Sequence, residues 1–179
     1  LREVINDLLE SVSNKDKEVE DVKKNIIVGA IVILFLMIVS SYTIFYRSQQ
    51  PMLQAQKEAT AIAEENANIQ KVQDFYWYNG SETYFTLAGI DGNNEELYVI
   101  IKKDGGETTV LNTAEVVTES EAKSITQADK KPERILEARL GIENEEPVWE
   151  VTYKNANDTI GYYLISAISG KWLKDIENI

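Results

Sequence analysis

The chain contains no cysteine and no histidine, and both absences restrict its chemistry. Without histidine it can build neither a Ser-His-Asp triad nor a Cys-His dyad, and it has no imidazole ligand for zinc. Without cysteine it has no disulfide framework, no thiol nucleophile and no attachment point for a lipoprotein anchor. We therefore expect a protein that is not an enzyme, with no catalytic residues, no metal site and no cofactor.

Basic residues are also scarce. The chain has 18 Lys and Arg against 30 Asp and Glu, which gives a formal net charge of −12. A field of this sign repels DNA, RNA and other polyanions at long range. We expect no nucleic-acid partner, and no motif in the sequence points to a small-molecule substrate.

One long stretch lacks charge altogether. The segment IIVGAIVILFLMIVSSYTIFY runs from Ile26 to Tyr46. A bilayer core of about 30 Å needs about 20 helical residues, so this segment is long enough to cross it. Tyr42, Phe45 and Tyr46 lie at its end, where amphipathic rings favour the membrane interface. The sequence predicts a single transmembrane helix over residues 26–46.

The basic residues flanking this segment predict its orientation. Lys15, Lys17, Lys23 and Lys24 precede it, whereas few basic residues follow it closely. The positive-inside rule then makes residues 1–25 a cytoplasmic tail and places the rest of the chain outside a cell membrane. Cleavage after Ser41, as in a signal peptide, is the weaker alternative because the apolar run continues beyond it. Apolar residues from Val4 to Val12 fit either a short amphipathic helix or a solvated tail.

The remainder shows the same order of elements twice. A helix is predicted from Pro51 to Asn68, and four strand-like runs follow it. A capping box formed by Thr118 and Glu121 then begins a second helix, which four more strand-like runs follow. The predicted fold class is α+β, with two tandem helix-plus-antiparallel-sheet units at residues 47–113 and 114–179.

The two units can be compared residue by residue. Residues 82–111 lie over residues 147–176 without a gap at an offset of 65, which pairs Tyr84 with Trp149 and Tyr98 with Tyr163. Upstream, Glu58-Ala59 corresponds to Glu121-Ala122 at an offset of 63. We interpret this as a duplication of a unit of about 60 residues, in which Trp149 and Tyr163 are mainly structural.

Several motifs together resemble a known family. A helix beginning with Glu-Ala, a Trp-Glu-Val strand, a Tyr-Tyr strand and a Ser-Gly-Lys turn resemble the PepSY-type domain. The whole layout, with WEVTY, GYYL and SGK at the end, is similar to the TseB-like (YpmB-like) family of Gram-positive cell-wall elongation regulators. The resemblance extends from about Ile26 to Ile179. The chain departs from the family in its longer tail and in Ala167-Ile168 before the last turn.

This resemblance implies a fold and a function. Each unit is expected to pack a helix on an antiparallel sheet, as in cystatin-like folds. The implied role is non-enzymatic: the chain would bind a class B penicillin-binding protein at the outer membrane face and regulate cell-wall elongation. The alternative is an inhibitor or chaperone-like regulator of an extracellular peptidase, the other role associated with PepSY-type domains. A membrane tether favours a partner that is itself in the membrane.

Two motifs could carry other chemistry. Ser120-Glu121-Ala122-Lys123 matches the S-x-x-K dyad of penicillin-recognising enzymes, but the companion motifs are not evident and serine is ordinary in a helix's first turn. The acidic turn after Asp91 could hold Ca²⁺, although its glycine is misplaced for an EF-hand. We expect neither to function in this way.

Aromatic residues are the best candidates for binding a protein partner. Strand alternation places Phe75 and Trp77 on one face and Tyr76 and Tyr78 on the other, so that one pair lies in the core. The other pair either packs between the units or binds a partner. Tyr162 and Trp172 break the repeat, because they lie opposite Leu97 and Glu107. The predicted partner-binding residues are Tyr76, Tyr78, Tyr162 and Trp172.

Overall fold

A single helix, α1 (Arg2–Ala67), contains both the apolar segment and the helix predicted to follow it. The computed structural model describes the backbone of residues 2–177 and 179 and the side chains of residues 23–177 and 179. The apolar face of the tail, Val4 to Val12, lies outside the described side chains. The chain divides into two compact units, Leu1–Pro51 and Met52–Ile179.

The prediction of two separate helices is wrong at Pro51, which lies inside α1. Proline lacks the N–H that would bond to the carbonyl of Arg47. Residues 47–51 are exposed, so water can solvate this carbonyl and the helix continues. From Lys23 onward α1 is long and apolar enough to cross a membrane, with a mean hydropathy of 2.5 over its most apolar window.

The compact unit Met52–Ile179 carries two antiparallel sheets, each with four strands in sequential order. The first sheet consists of β1 (Ile69–Asn79), β2 (Thr83–Asp91), β3 (Glu96–Lys102) and β4 (Thr108–Asn112). After a short 3-10 turn and helix α2 (Glu119–Lys130), the second sheet consists of β5 (Arg134–Glu143), β6 (Glu146–Lys154), β7 (Ile160–Ser166) and β8 (Trp172–Ile176). This confirms the predicted α+β class with two helix-plus-sheet units.

Small residues allow each helix to approach its own sheet closely. In α1, Ala55, Ala59 and Ala63 recur every fourth residue and are buried in one cluster with Leu87 and Val99 of the first sheet. In α2, Ala122 and Thr126 are buried at the same spacing. The capping box predicted at Thr118 is present and begins α2. Both helices thus lie on one face of a sheet.

The predicted register of the repeat is wrong by one residue at the central hairpins. Ile90 pairs with Glu96, whereas Lys154 pairs with Ile160, so these hairpins correspond at an offset of 64 and not 65. A one-residue slip moves every side chain of a strand to the opposite face. The counterpart of Trp149 is therefore Phe85 and not Tyr84, and both side chains belong to the clusters that face their own helices.

The offset grows along the unit because the second copy has one extra residue in its first hairpin turn and one at a bulge in β8. Asn68 and Lys131, each in the left-handed conformation after its helix, correspond at 63. Val99 pairs with Val110 and Tyr163 pairs with Asp175, so the last strands correspond at 65. An ungapped comparison at an offset of 65 therefore pairs residues that lie on opposite faces of the two sheets.

The two sheets share a core built around Trp149. The ring of Tyr76 lies 5.4 Å from that of Trp149, and the ring of Tyr98 lies 5.6 Å from it, both edge to face. The Tyr76 hydroxyl donates to the Glu119 carboxylate at 2.7 Å. A tyrosine of the first sheet thereby binds the first turn of the second unit's helix.

A second junction forms at the end of β5. Glu143 Oε2 accepts hydrogen bonds from the Tyr78 hydroxyl and from the N–H and hydroxyl of Ser81, each at 3.1 Å. Burial by itself would raise the pKa of Glu143, but these hydrogen bonds outweigh it and hold the pKa below its ordinary value of 4.5. Glu143 therefore joins the first turn of one sheet to the first strand of the other as a carboxylate.

The contact between Tyr78 and Gly141 can be tested by adding one methyl group. In the variant Gly141→Ala the new Cβ would overlap the Tyr78 ring. We expect a loss of about 1–3 kcal/mol in the free energy of unfolding, as for other overpacked cores. Chemical unfolding of the full chain in detergent, followed by near-UV circular dichroism, measures it. Leu136→Ala, at a 40% exposed position on the same strand, is the matched control and should change stability by less than about 0.5 kcal/mol.

The Glu143 junction predicts a pH dependence. Because the folded pKa lies below 4.5, the stabilisation is fully present above that value and is lost as the pH falls through the folded pKa. Glu143→Gln removes the titrating group but keeps an acceptor oxygen. We expect the variant to lose less stability than the wild type in unfolding curves measured between about pH 6 and pH 3. Parallel curves for the two proteins would contradict this assignment.

Candidate protein-binding surface

Tyr76 and Tyr78 lie in the core between the sheets. Their exposed fractions are 9% and 1%, so they offer a partner almost no surface. Of the two possibilities left open by the sequence, the structure favours inter-unit packing for this pair. Phe75 and Trp77, on the opposite face of β1, are half-buried against Phe85, with ring centroids 5.9 and 5.0 Å away.

Trp149 and Tyr163 attach α2 to the second sheet. The Trp149 indole N–H donates to the Val117 carbonyl at 2.7 Å, and the Tyr163 hydroxyl donates to Asp129 at 2.6 Å. Burial and the adjacent Asp129 carboxylate raise the pKa of Tyr163 to about 12. Both side chains are buried and hydrogen-bonded, in agreement with the structural role expected from the sequence.

Tyr162 and Trp172 lie on neighbouring strands of the second sheet. Tyr162 is half-buried and pairs with Ile176, while Trp172 is the first residue of β8 and is 57% exposed. Trp172 is the only aromatic side chain among the exposed large apolar residues of the described range 52–177. Of the four predicted partner-binding residues, it presents the most accessible side chain.

Further exposed apolar residues lie on β8 and just after it. We define the β8 surface as Trp172, Leu173, Ile176 and Ile179, whose exposed fractions range from 39% to 67%. Because β8 is an edge strand, one side of it has no neighbouring strand. Clustered apolar exposure around an aromatic residue is typical of protein-binding sites. Sequence reasoning missed Leu173 and Ile176, since only the strand order shows that their strand lies at an edge.

Ion pairs hold β8 in place. Lys130 Nζ, at the end of α2, lies 2.5 Å from Asp175 and 2.7 Å from Glu177. The same ammonium group lies 5.3 Å from the centre of the Tyr163 ring. Hydrogen bonds to the two carboxylates raise the pKa of Lys130 above its ordinary value. The strand that carries the β8 surface is therefore attached to the end of α2.

The motifs considered for other chemistry take structural roles. Ser120 is exposed in the first turn of α2, and the ammonium group of Lys123 pairs with Glu119. Asp91 Oδ1 accepts from the N–H groups of Asn93 and Glu95 at 2.8 and 2.9 Å, which builds the hairpin turn. Within the described residues no group of three or more acidic side chains is arranged to hold a metal ion.

Comparisons with known proteins agree with this architecture. Residues 58–102, from the end of α1 through β3, match a family model described as "Cell wall elongation regulator TseB-like domain". Residues 116–176, which end with β8, match "Peptidase propeptide and YPEB domain", the PepSY model. In both matches the chain resembles the TseB-like (YpmB-like) family.

The chain is also similar to a curated protein and to a solved structure, both from Bacillus subtilis. The "Probable cell wall elongation regulator TseB" of Bacillus subtilis (strain 168) is 25% identical over 146 residues, covering 80% of this chain and 91% of the relative. The solved structure of the "YpmB protein from Bacillus subtilis" superposes with a TM-score of 0.61 at 24% identity. It covers 68% of this chain and 95% of its own, and shows that the fold is shared.

Trp149 is buried and Trp172 is exposed, so replacing each by alanine should affect the stability of the fold very differently. Trp149→Ala removes a fully buried ring and leaves the Val117 carbonyl without its donor, so we expect a loss of about 3–5 kcal/mol. Trp172→Ala removes an exposed ring and should change stability by less than about 0.5 kcal/mol. Thermal unfolding of the full chain in detergent measures both. A large destabilisation by Trp172→Ala would show that this ring is part of the core.

Proposed function

We propose that this chain is a membrane-anchored regulator of cell-wall elongation that acts by binding another protein through the β8 surface. Residues 1–25 are the cytoplasmic tail, residues 26–46 cross the membrane, and the units 47–113 and 114–179 lie outside the cell. The family match and the name of the Bacillus subtilis relative support the role in elongation. The uncharged segment and the lysines before it support the topology.

The exposed Trp172 on the edge of the second sheet is the observation that carries this proposal. The other tryptophan of that sheet, Trp149, is fully buried in the core, whereas the ring of Trp172 is left exposed. Leaving a 57% exposed indole beside further apolar residues is costly in water unless a partner covers it. Rigid aromatic anchors of this kind contribute much of the binding energy in protein interfaces.

A class B penicillin-binding protein is the partner we propose. Two proteins anchored in one membrane meet at a much higher effective concentration than in solution, so a modest surface is enough for binding. Residues 52–179 contain 12 Lys and Arg and 23 Asp and Glu, a net charge of −11. The docking face of the partner should therefore carry positive charge, which speeds association and disfavours acidic competitors.

A second candidate follows from the PepSY match. The description of that model names peptidase propeptides, and the match covers most of the second helix-plus-sheet unit, from Val116 to Ile176. The alternative is therefore an inhibitor or chaperone-like regulator of an extracellular peptidase that binds the same surface.

Site-specific photocrosslinking in cells separates these candidates. A photoreactive residue at Leu173 lies next to Trp172 without replacing it, and the same residue at exposed Asn157 in the β6–β7 turn is the matched control. We expect capture of a class B penicillin-binding protein from position 173 and not from position 157, with the yield reduced severalfold by Trp172→Ala. Recovery of secreted peptidases without any penicillin-binding protein would support the alternative and overturn the first choice.

Reporter fusions test the topology. A reporter active only outside the cytoplasm should be inactive when fused before Ile26 and active when fused after Ile179. The opposite pattern would reverse the orientation and remove the extracytoplasmic partner from consideration.

A further inference from the structure

A groove lies beside the β7–β8 turn, separate from the β8 surface. Residues 114–117, the first turns of α2 and the turn at residues 168–170 enclose about 510 Å³. We call it the tip groove. Its floor is apolar, formed by Val116, Val117 and Ile125, which are half-buried, and its lip is Ile168, which is 52% exposed. A β-branched apolar residue at the tip of a turn gains nothing from exposure to water.

Hydrogen bonds hold the groove open in one shape. The Val117 N–H donates to the Ala167 carbonyl at 2.7 Å, which joins the floor to the turn. The hydroxyl of Ser166, which is only 1% exposed, accepts from the Ser169 N–H at 3.1 Å. Gly170 has a positive φ of 69° and donates to the Ser166 carbonyl at 2.9 Å. A ligand would meet a preformed groove and would not have to order it.

The charge around the groove has one sign. Among the described residues that line it, the charged ones are Glu115 and Glu121, and both are exposed. Glu121 Oε2 accepts from the N–H and hydroxyl of Thr118 at 2.8 and 2.9 Å, which holds the pKa of Glu121 below its ordinary value. The Glu121 side chain is therefore anionic at neutral pH. An occupant complementary to this groove is apolar in the middle and basic at its edge.

We propose that the tip groove binds a short segment of a partner protein in which an apolar side chain lies next to a lysine or arginine. The apolar side chain covers Val116, Ile125 and Ile168, and the basic side chain pairs with Glu115. This inference rests on the proposed function, which brings a protein partner to the second unit. A lipid surface fits less well, because the acidic rim repels anionic headgroups and because, among the described residues, Ile168 is the only exposed large apolar one that lines the groove.

Peptide binding to the full chain in nanodiscs tests this chemistry directly. Isoleucine δ1 methyl groups are ¹³C-labelled, and the probes are acetyl-Gly-Lys-Leu-Lys-Gly-amide, its Glu-Leu-Glu counterpart and its Lys-Gly-Lys counterpart. We expect the first peptide to shift the signals of Ile125 and Ile168 and the other two to leave them unchanged. Equal shifts with the acidic peptide, or no shift with any peptide, would overturn the proposal. A shift caused by anionic nanodisc lipids alone would identify a lipid contact and overturn it as well.

Variants separate the two parts of the interaction. Ile168→Ser should weaken binding of the first peptide about tenfold, and Glu115→Gln should weaken it about threefold, less so at high salt. The matched control is Val110→Ser, which changes a 46% exposed apolar residue on β4 and should leave binding unchanged. Equal affinity for Ile168→Ser and the wild type would contradict the assigned groove.

Photocrosslinking distinguishes an error in this inference from an error in the proposed function. With the photoreactive residue at Ser169, beside the groove, the crosslinked peptide of the partner should contain an apolar residue adjacent to lysine or arginine. A partner captured from Leu173 whose peptide at Ser169 lacks this pattern overturns the groove inference and leaves the proposed function standing. If the peptide binds in nanodiscs but no penicillin-binding protein is captured, the groove inference stands and the proposed partner is wrong.

Discussion

Burial of the second face of the first sheet is the constraint on which the rest of the structure depends. Helix α1 covers one face with its alanines, and the other face carries tyrosines that no element of the first unit covers. They pack instead on Trp149 and on the first turn of α2. A sheet of four strands with one open apolar face would be marginal in water. The duplication therefore supplies each copy with the surface that the other lacks.

The sheet orders follow from local signals in the sequence. Turn residues and strand alternation predicted eight strands, and sequential hairpins leave little choice of topology. The correspondence between the residues of the two copies could not be predicted in the same way, because an ungapped comparison does not detect single-residue insertions. Phe85 and Tyr84 are both aromatic and adjacent, so composition does not reveal which of them faces the helix.

The candidate surface was predictable only in part. Trp172 could be predicted, because it breaks the repeat and this alone marked it as a candidate for binding a partner. Tyr76 was indistinguishable from a surface residue, since its burial depends on contacts with residues more than forty positions away. Leu173 and Ile176 gave no signal, because an exposed edge and a buried strand have similar compositions. Long-range packing, which a single sequence does not contain, decided each of these cases.

The offset that increases from 63 to 65 along the repeat has a genetic consequence. Duplicated segments can exchange sequence by recombination, and an exchange preserves a fold when the copies align without gaps. Here a crossover aligned on the helices would enter the central hairpin one residue out of phase. Every side chain of the imported strand would then face the wrong side of its sheet. The inserted residues thus isolate the two copies from each other, which allows one to keep an exposed tryptophan where the other has a threonine.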